Sequence, residues 1–235
     1  MRIIADENMA LVEAFFSDLG QLSCYSGRQL SNEQVKDADV LLVRSVTEVN
    51  ANLLTNSRVR FVGSATIGAD HLDKEWLDSQ NITMTTAPAC NARSVVEYVL
   101  TAIAAVSARL QIDPSAKVLG IVGLGNVGFL LATVAQSLGM KVLGCDPFVN
   151  RPTIQQCSFE ELIASADIVS LHTPLTRQGE YSTYHLFNEV TLPLLKPNSI
   201  LLNTGRGAVI DNQALLNFVE NNPEHLAAIV LDVWE

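Results

Sequence analysis

Six residues, Gly123-Leu124-Gly125-Asn126-Val127-Gly128, have the types and spacing to hold a dinucleotide. The run Lys117–Val122 before them is apolar and β-like, and a helix-like segment follows. Gly123 permits a tight turn out of the strand. Gly125 lets the backbone approach a pyrophosphate, and Gly128 lets the new helix pack against the strand. The helix begins at Asn126 and Val127, and its N-terminus offers free N–H groups and a positive dipole end to phosphates. About 20 residues on, the run Lys141–Cys145 ends at Asp146, whose carboxylate suits the adenosine ribose. A carboxylate there repels a 2′-phosphate, so NAD is expected rather than NADP. A lone G-x-G-x-x-G is a weak signal, because glycines recur in turns. Strand, helix and acid together make this one specific.

A second group follows the apolar run Ser199–Asn203: Thr204-Gly205-Arg206-Gly207-Ala208-Val209-Ile210-Asp211. The flanking glycines let the backbone turn sharply and present the Arg206 guanidinium. Arginine binds a carboxylate through two parallel hydrogen bonds, fixing orientation as well as charge. The bland reading is a surface arginine in a loop with Asp211 as helix N-cap; position at a strand tip favours a ligand role. The last run ends Leu231-Asp232-Val233-Trp234-Glu235. Glu235 has the chemistry to orient a histidine and stabilise its charged form. His172, in His172-Thr173-Pro174-Leu175, reads as a shaped turn rather than a base. His71, His185 and His225 show no supporting neighbours in sequence. No histidine and carboxylate pair has metal-ligand spacing, so no metal is expected. Near the N-terminus, Arg44 and Ser45 follow one strand-like run and Thr66 another. Binding of a phosphate or carboxylate and ordinary turn chemistry are equally good readings there.

These residues need elements to carry them. Arg2–Asp6, Val40–Val43, Arg60–Val62 and Ile82–Thr85 read as strands, with Ala10–Leu19 and Leu72–Ser79 as helices between them. This βα alternation predicts a parallel α/β sheet for residues 1–92. Asn91–Leu110 reads as one long helix, so 93–115 form an inter-domain helix and linker. From 116 to 235, strands at 117–122, 141–145, 167–171, 199–203 and 226–232 alternate with helices at 126–138, 159–165, 192–195 and 211–220. That pattern is a Rossmann-type doubly wound parallel sheet. In such sheets ligands sit at the carboxyl ends of the strands, where every candidate above lies.

The bulk composition excludes several classes. The 235 residues are 48% hydrophobic and 17% charged, which fits a well-cored α/β protein. The net charge is −10 with no basic cluster, against a nucleic-acid or polybasic membrane surface. The apolar stretch Val95–Leu110 carries Glu97, Ser107 and Arg109, so it reads as a buried helix rather than a membrane span. Four separated cysteines and no signal-peptide pattern predict a reduced, cytoplasmic protein.

The glycine turn with Asp146, the His172–Leu175 turn, Asn203–Asp211 and Leu231–Glu235 together resemble the D-isomer-specific 2-hydroxyacid dehydrogenases. The resemblance covers essentially the whole chain. Ala5-Asp6-Glu7-Asn8-Met9, Val43-Arg44-Ser45-Val46-Thr47-Glu48-Val49-Asn50 and Ala87-Pro88-Ala89-Cys90-Asn91-Ala92-Arg93 narrow the resemblance to the branch that oxidises 4-phosphoerythronate. The resemblance implies a flavodoxin-like substrate domain at 1–92 and an NAD domain after it. It implies NAD-dependent oxidation of a phosphorylated 2-hydroxy acid on the route to pyridoxal phosphate. Arg206 would hold the substrate carboxylate, and Glu235 would pair with a catalytic histidine. Ser45, Thr66 and Arg44 would meet the substrate. Gly123, Gly125, Asn126, Val127, Gly128, Asp146, Thr173, Thr204, Gly205, Arg206 and Asp232 would contact NAD. The family's catalytic histidine lies beyond the glutamate, and none here matches it. The chain is therefore expected to be an inactive N-terminal part of an enzyme whose full length is a homodimer. The competing readings are another 2-hydroxyacid dehydrogenase, of phosphoglycerate or glyoxylate type, and a non-catalytic NAD-binding regulatory module.

Overall fold

Apolar runs of four or five residues, each followed by a turn and a helix, leave a strand buried on both faces and paired in parallel. The computed structural model, which describes residues 1–235, has this pattern twice. The chain divides into two units, Met1–Cys90 and Asn91–Glu235.

The first unit runs β1 (Arg2–Asp6), α1 (Val12–Phe16), β2 (Gln21–Tyr25), α2 (Asn32–Val35), β3 (Val40–Val43), α3 (Ala51–Leu54), β4 (Phe61–Ser64), α4 (Lys74–Ser79) and β5 (Thr83–Thr85). All pairings are parallel, in the order β2-β1-β3-β4-β5. This is the flavodoxin-like order. Ile4, Leu41, Val43 and Val62 fill the core on one side of the sheet with Leu54 and Leu77 from the helices.

One expected helix of this unit differs. The span Ala10–Leu19 holds only one α-turn, Val12–Phe16, then a 3-10 turn at Ser17–Leu19. Leu11 adopts a left-handed backbone, φ 58°, so no helix extends through it. Strand β2 follows directly after Gly20. Its polar residues Gln21, Ser23 and Cys24 gave no strand signal, because an edge strand needs less apolar surface.

The second unit contains α5 (Ala92–Leu110), β6 (Val118–Val122), α6 (Asn126–Ser137), β7 (Lys141–Cys145), β8 (Gln155–Gln156), α7 (Phe159–Ser165), β9 (Ile168–Leu171), β10 (Ser199–Asn203), α8 (Asn212–Asn221) and β11 (Leu226–Leu231). The sheet order is β11-β10-β9-β6-β7-β8, parallel throughout. Numbered within the unit this is 3-2-1-4-5-6 read from the β8 edge, the Rossmann order. Central strands β9 and β10 are buried at every residue. Helix α5 sets Val96, Val99 and Ile103 on one stripe, and they pack with Leu131, Ala132 and Ala135 of α6. The expected helix at 192–195 is a single 3-10 turn with Pro193 inside it. No helix is long and apolar enough to cross a membrane.

Candidate functional site

The glycine turn follows β6 directly. Gly123 has φ +94°, a left-handed conformation that glycine adopts without steric cost. A Cβ on Gly128 would lie 1.8 Å from the Gly123 carbonyl oxygen, so only glycine lets α6 sit this close to β6. Gly125 is the opposite case: a Cβ there would meet nothing within 4 Å. Gly125 and Asn126 are exposed, and Val127 is half-buried. The helix α6 thus opens into free space with its first N–H groups unpaired within the helix. That combination fits the phosphates of a dinucleotide.

Asp146 sits at the tip of β7. Its Oδ2 accepts from the Leu124 N–H at 2.8 Å, and its Oδ1 accepts from Phe148 N–H at 2.9 Å and Val149 N–H at 3.1 Å. The carboxylate therefore braces the glycine turn, a role that its sequence position did not reveal. Oδ1 is filled by its two N–H donors, while Oδ2 keeps a lone pair for a sugar hydroxyl.

Three further strand tips, those of β9, β10 and β11, follow on one side of this turn along the sheet. After β9, the His172 carbonyl and the Thr173 methyl group lie against Gly123. His172 Nε2 contacts Ser170 Oγ at 2.9 Å, and its Nδ1 contacts Thr204 Oγ1 at 3.4 Å. Burial holds this imidazole far below its ordinary value, at about 4. It is neutral at pH 7 and serves the fold. The Thr173 hydroxyl is buried with no hydrogen-bond partner. A buried hydroxyl without a partner beside the glycine turn is a second feature that suits a ligand.

After β10 comes the Arg206 loop. Asn203 is fully buried and organises it. Its Nδ2 donates to the Arg206 carbonyl at 2.9 Å, and its Oδ1 accepts from the Gly205 N–H at 3.1 Å. Asn203 was not singled out by sequence; an asparagine ending an apolar strand just before G-x-G is the signal that points to it. Gly205 lies close to the Thr173 carbonyl. Arg206 is half-buried and donates from Nη1 to the Gly205 carbonyl at 3.1 Å.

After β11, exposed Asp232 donates its N–H to the Asn203 carbonyl at 3.0 Å. The chain then runs onto the Arg206 loop. A Cβ on Gly207 would lie 1.9 Å from the Trp234 carbonyl oxygen. Glu235 is thereby seated beside the loop that carries Arg206. Its Oε1 lies 2.8 Å from His185 Nε2, and His185 Nδ1 lies 3.4 Å from Asp211 Oδ2. His185, read as unsupported in sequence, is held between two carboxylates. Those partners come from segments far apart in the chain, so no local spacing could show them.

In the first unit, Thr66 Oγ1 contacts Ser64 Oγ at 2.8 Å and donates to the Gly68 carbonyl at 3.1 Å. Ser64 Oγ contacts His71 Nε2 at 2.9 Å, and His71 is buried. His71 thus anchors the loop after β4, another partnership that spacing did not suggest. Arg44 is half-buried and Ser45 exposed in the loop after β3, where the Arg44 carbonyl accepts from the Thr47 N–H.

Residues 96–235 match the model of the D-isomer specific 2-hydroxyacid dehydrogenase, NAD binding domain. The whole chain is 48% identical to an erythronate-4-phosphate dehydrogenase of Acinetobacter baumannii, covering 65% of that protein. It is also 48% identical to one of Shewanella sediminis, covering 61% of it. The chain therefore spans less than two thirds of the length of these relatives. Among solved structures, D-lactate dehydrogenase from Aquifex aeolicus, complexed with NAD and lactic acid, superposes with a TM-score of 0.88 at 25% identity. That match covers all of this chain and 77% of the other. With this match over its second unit and the glycine turn in place, the chain belongs to the D-isomer specific 2-hydroxyacid dehydrogenase family and carries that family's NAD-binding domain.

Proposed function

We propose that the protein oxidises the 2-hydroxyl of 4-phospho-D-erythronate to (R)-3-hydroxy-2-oxo-4-phosphooxybutanoate, on the route to pyridoxal 5′-phosphate. The observation that carries the chemistry is the seating of Glu235 on the Arg206 loop through Gly207. It supports reading Arg206 and Glu235, on adjacent strand tips, as a carboxylate-binding cation and a histidine-orienting acid. The substrate choice is supported by the names of the relatives that match the whole chain.

In this reading Arg206 binds the substrate carboxylate in two hydrogen bonds and polarises the oxygen on the reacting carbon. Glu235 orients a histidine that accepts the hydroxyl proton. Bound NAD supplies the hydride acceptor. Gly123, Gly125, Asn126, Val127 and Gly128 hold its phosphates, and Asp146 its adenosine ribose. Thr173, Thr204, Gly205 and Asp232 line the rest of that site. Ser45, Thr66 and Arg44 bind the substrate, with Arg44 toward the phosphate. Residues 1–92 form the substrate domain, 93–115 the inter-domain helix and linker, and 116–235 the NAD domain. The working protein is a cytoplasmic homodimer.

The test is NADH formation by the whole gene product with a panel of phosphorylated and unphosphorylated 2-hydroxy acids. Turnover with 4-phosphoerythronate well above that with 3-phosphoglycerate or glycolate is expected. Equal or better turnover with another acid would overturn the substrate assignment. Arg206→Lys keeps the charge but loses the two-pronged contact, and is expected to cost about 100-fold in kcat/KM.

A further inference from the structure

His185 lies between the Arg206 loop and Glu235, and nothing in the catalytic reading uses it. Its backbone is clamped from both sides. The His185 N–H donates to the Ala208 carbonyl at 2.9 Å, and its carbonyl accepts from Asn188 Nδ2 at 2.8 Å. Two residues on, Phe187 and Ile210 form a parallel bridge, and the Asp211 N–H donates to the Phe187 carbonyl. The segment that carries His185 is thus laced to the segment that carries Arg206. His185 has φ +51°, a conformation that a non-glycine residue keeps only where its surroundings hold it.

The imidazole is fixed as tightly. It stacks on Tyr184 with ring centroids 3.9 Å apart, and the Arg177 guanidinium covers the other ring at 4.0 Å. Nδ1 faces Asp211 Oδ2, and Nε2 faces Glu235 Oε1. Asp211 is itself immobile, because its Oδ1 caps α8 by accepting from the Ala214 N–H at 2.9 Å. A carboxylate only accepts, so the short Nε2 contact is an N–H donated to Glu235. The three side chains bring ligand-type atoms within 4.8 Å of one another. However, the two carboxylates lie at opposite nitrogens of one ring, and the short contact is the hydrogen bond to Glu235. A metal would use a single nitrogen.

We propose that His185 is a positioning residue: held by its backbone clamp and its stacking on Tyr184, it holds Oε1 of Glu235 and leaves Oε2 to face the proton-accepting histidine. This rests on the role assigned to Glu235 above. A glutamate side chain has three rotatable bonds, and an exposed one samples many rotamers. One fixed donor on one oxygen removes that freedom before substrate binds, and misplacing a catalytic group by about 1 Å costs on the order of 100-fold.

The experiment compares three variants of the intact protein in turnover with 4-phosphoerythronate, with NADH affinity measured separately by fluorescence. His185→Leu is expected to lower kcat about 10- to 100-fold while KM and NADH affinity stay within about 2-fold. His185→Gln retains a side-chain N–H and is expected to recover most of kcat. Glu235→Gln is the reference and must lower kcat at least as far as His185→Leu. If Glu235→Gln leaves kcat unchanged, the role of Glu235 fails and the proposal falls with it. If Glu235→Gln lowers kcat but His185→Leu does not, Glu235 stands and the positioning role alone is overturned. A parallel loss of NADH affinity in His185→Leu would make His185 a folding residue and overturn the proposal too.

Discussion

Adding one methyl group to the glycine turn should separate folding from cofactor binding, depending on which glycine receives it. At Gly128 a Cβ would sit 1.8 Å from the Gly123 carbonyl oxygen and 3.1 Å from Ile121 Cγ2. The obstacle is backbone and cannot swing aside. Restoring ordinary contact needs α6 to move about 1.5 Å from β6, against Leu131, Ala132 and Ala135 packed in the core. Overpacking of this kind costs about 1–3 kcal/mol, and immobile backbone puts it at or above the top of that range. The better helix propensity of alanine returns up to about 1 kcal/mol. Gly128→Ala is therefore expected to lose about 2 kcal/mol, a fall in Tm of roughly 4–8 °C. At Gly125 the backbone has φ −68°, which alanine adopts freely, and a Cβ meets nothing within 4 Å. Gly125→Ala should stay within about 0.5 kcal/mol of the parent. Its methyl group would occupy the space through which a pyrophosphate approaches, so NAD affinity should fall at least about 10-fold. Thermal unfolding without NAD, and NADH fluorescence titration on the same samples, measure both. A fully stable Gly128→Ala would refute the packing argument. A Gly125→Ala that binds NADH normally would refute the phosphate assignment.

Acid should weaken the second unit through His172. The unfolded ring takes a proton near 6.5 and the folded ring only near 4. Between those values the unfolded chain binds the extra proton, so stability falls as pH drops from about 6.5 toward 4 and is unaffected above it. The full loss is roughly 3 kcal/mol, and His172→Gln should flatten it in urea unfolding at pH 7 and pH 4.5. Asn203→Ala removes both side-chain contacts to the Arg206 loop, leaving the Gly205 N–H without that partner; about 2–3 kcal/mol of stability should be lost in the same assay. Gly207→Ala would drive a Cβ into the Trp234 carbonyl and displace Glu235. Turnover should fall by about 10-fold or more while NADH affinity holds, measured on the intact protein.

Residues whose work is local were legible before any coordinates. Gly123, Gly125 and Gly128 act through backbone geometry within one turn, so their spacing carries the information. Strands such as Val40–Val43 and Ser199–Asn203 are buried on both faces, and burial writes itself as an unbroken apolar run. Edge elements escape this logic. Strand β2 is polar and β8 is two glutamines long, so neither stood out from loop. The long helix α5 was legible because Val96, Val99 and Ile103 repeat at helical spacing.

The partnerships were not legible. Period and spacing are properties of neighbours along the chain, and they were enough for the α/β class, the dinucleotide turn and the candidate residues at strand tips. It took the folded chain to show that Asp146 braces Leu124, that Asn203 shapes the Arg206 loop, and that His71 and His185 have buried or charged companions. The Asp146–Leu124 and His185–Glu235 contacts join strand tips and loops brought together only after a crossover of many residues, while those of Asn203 and His71 close within single loops whose path spacing does not show. Side-chain chemistry at such tips depends on which strands lie side by side, and strand order belongs to the sheet as a whole.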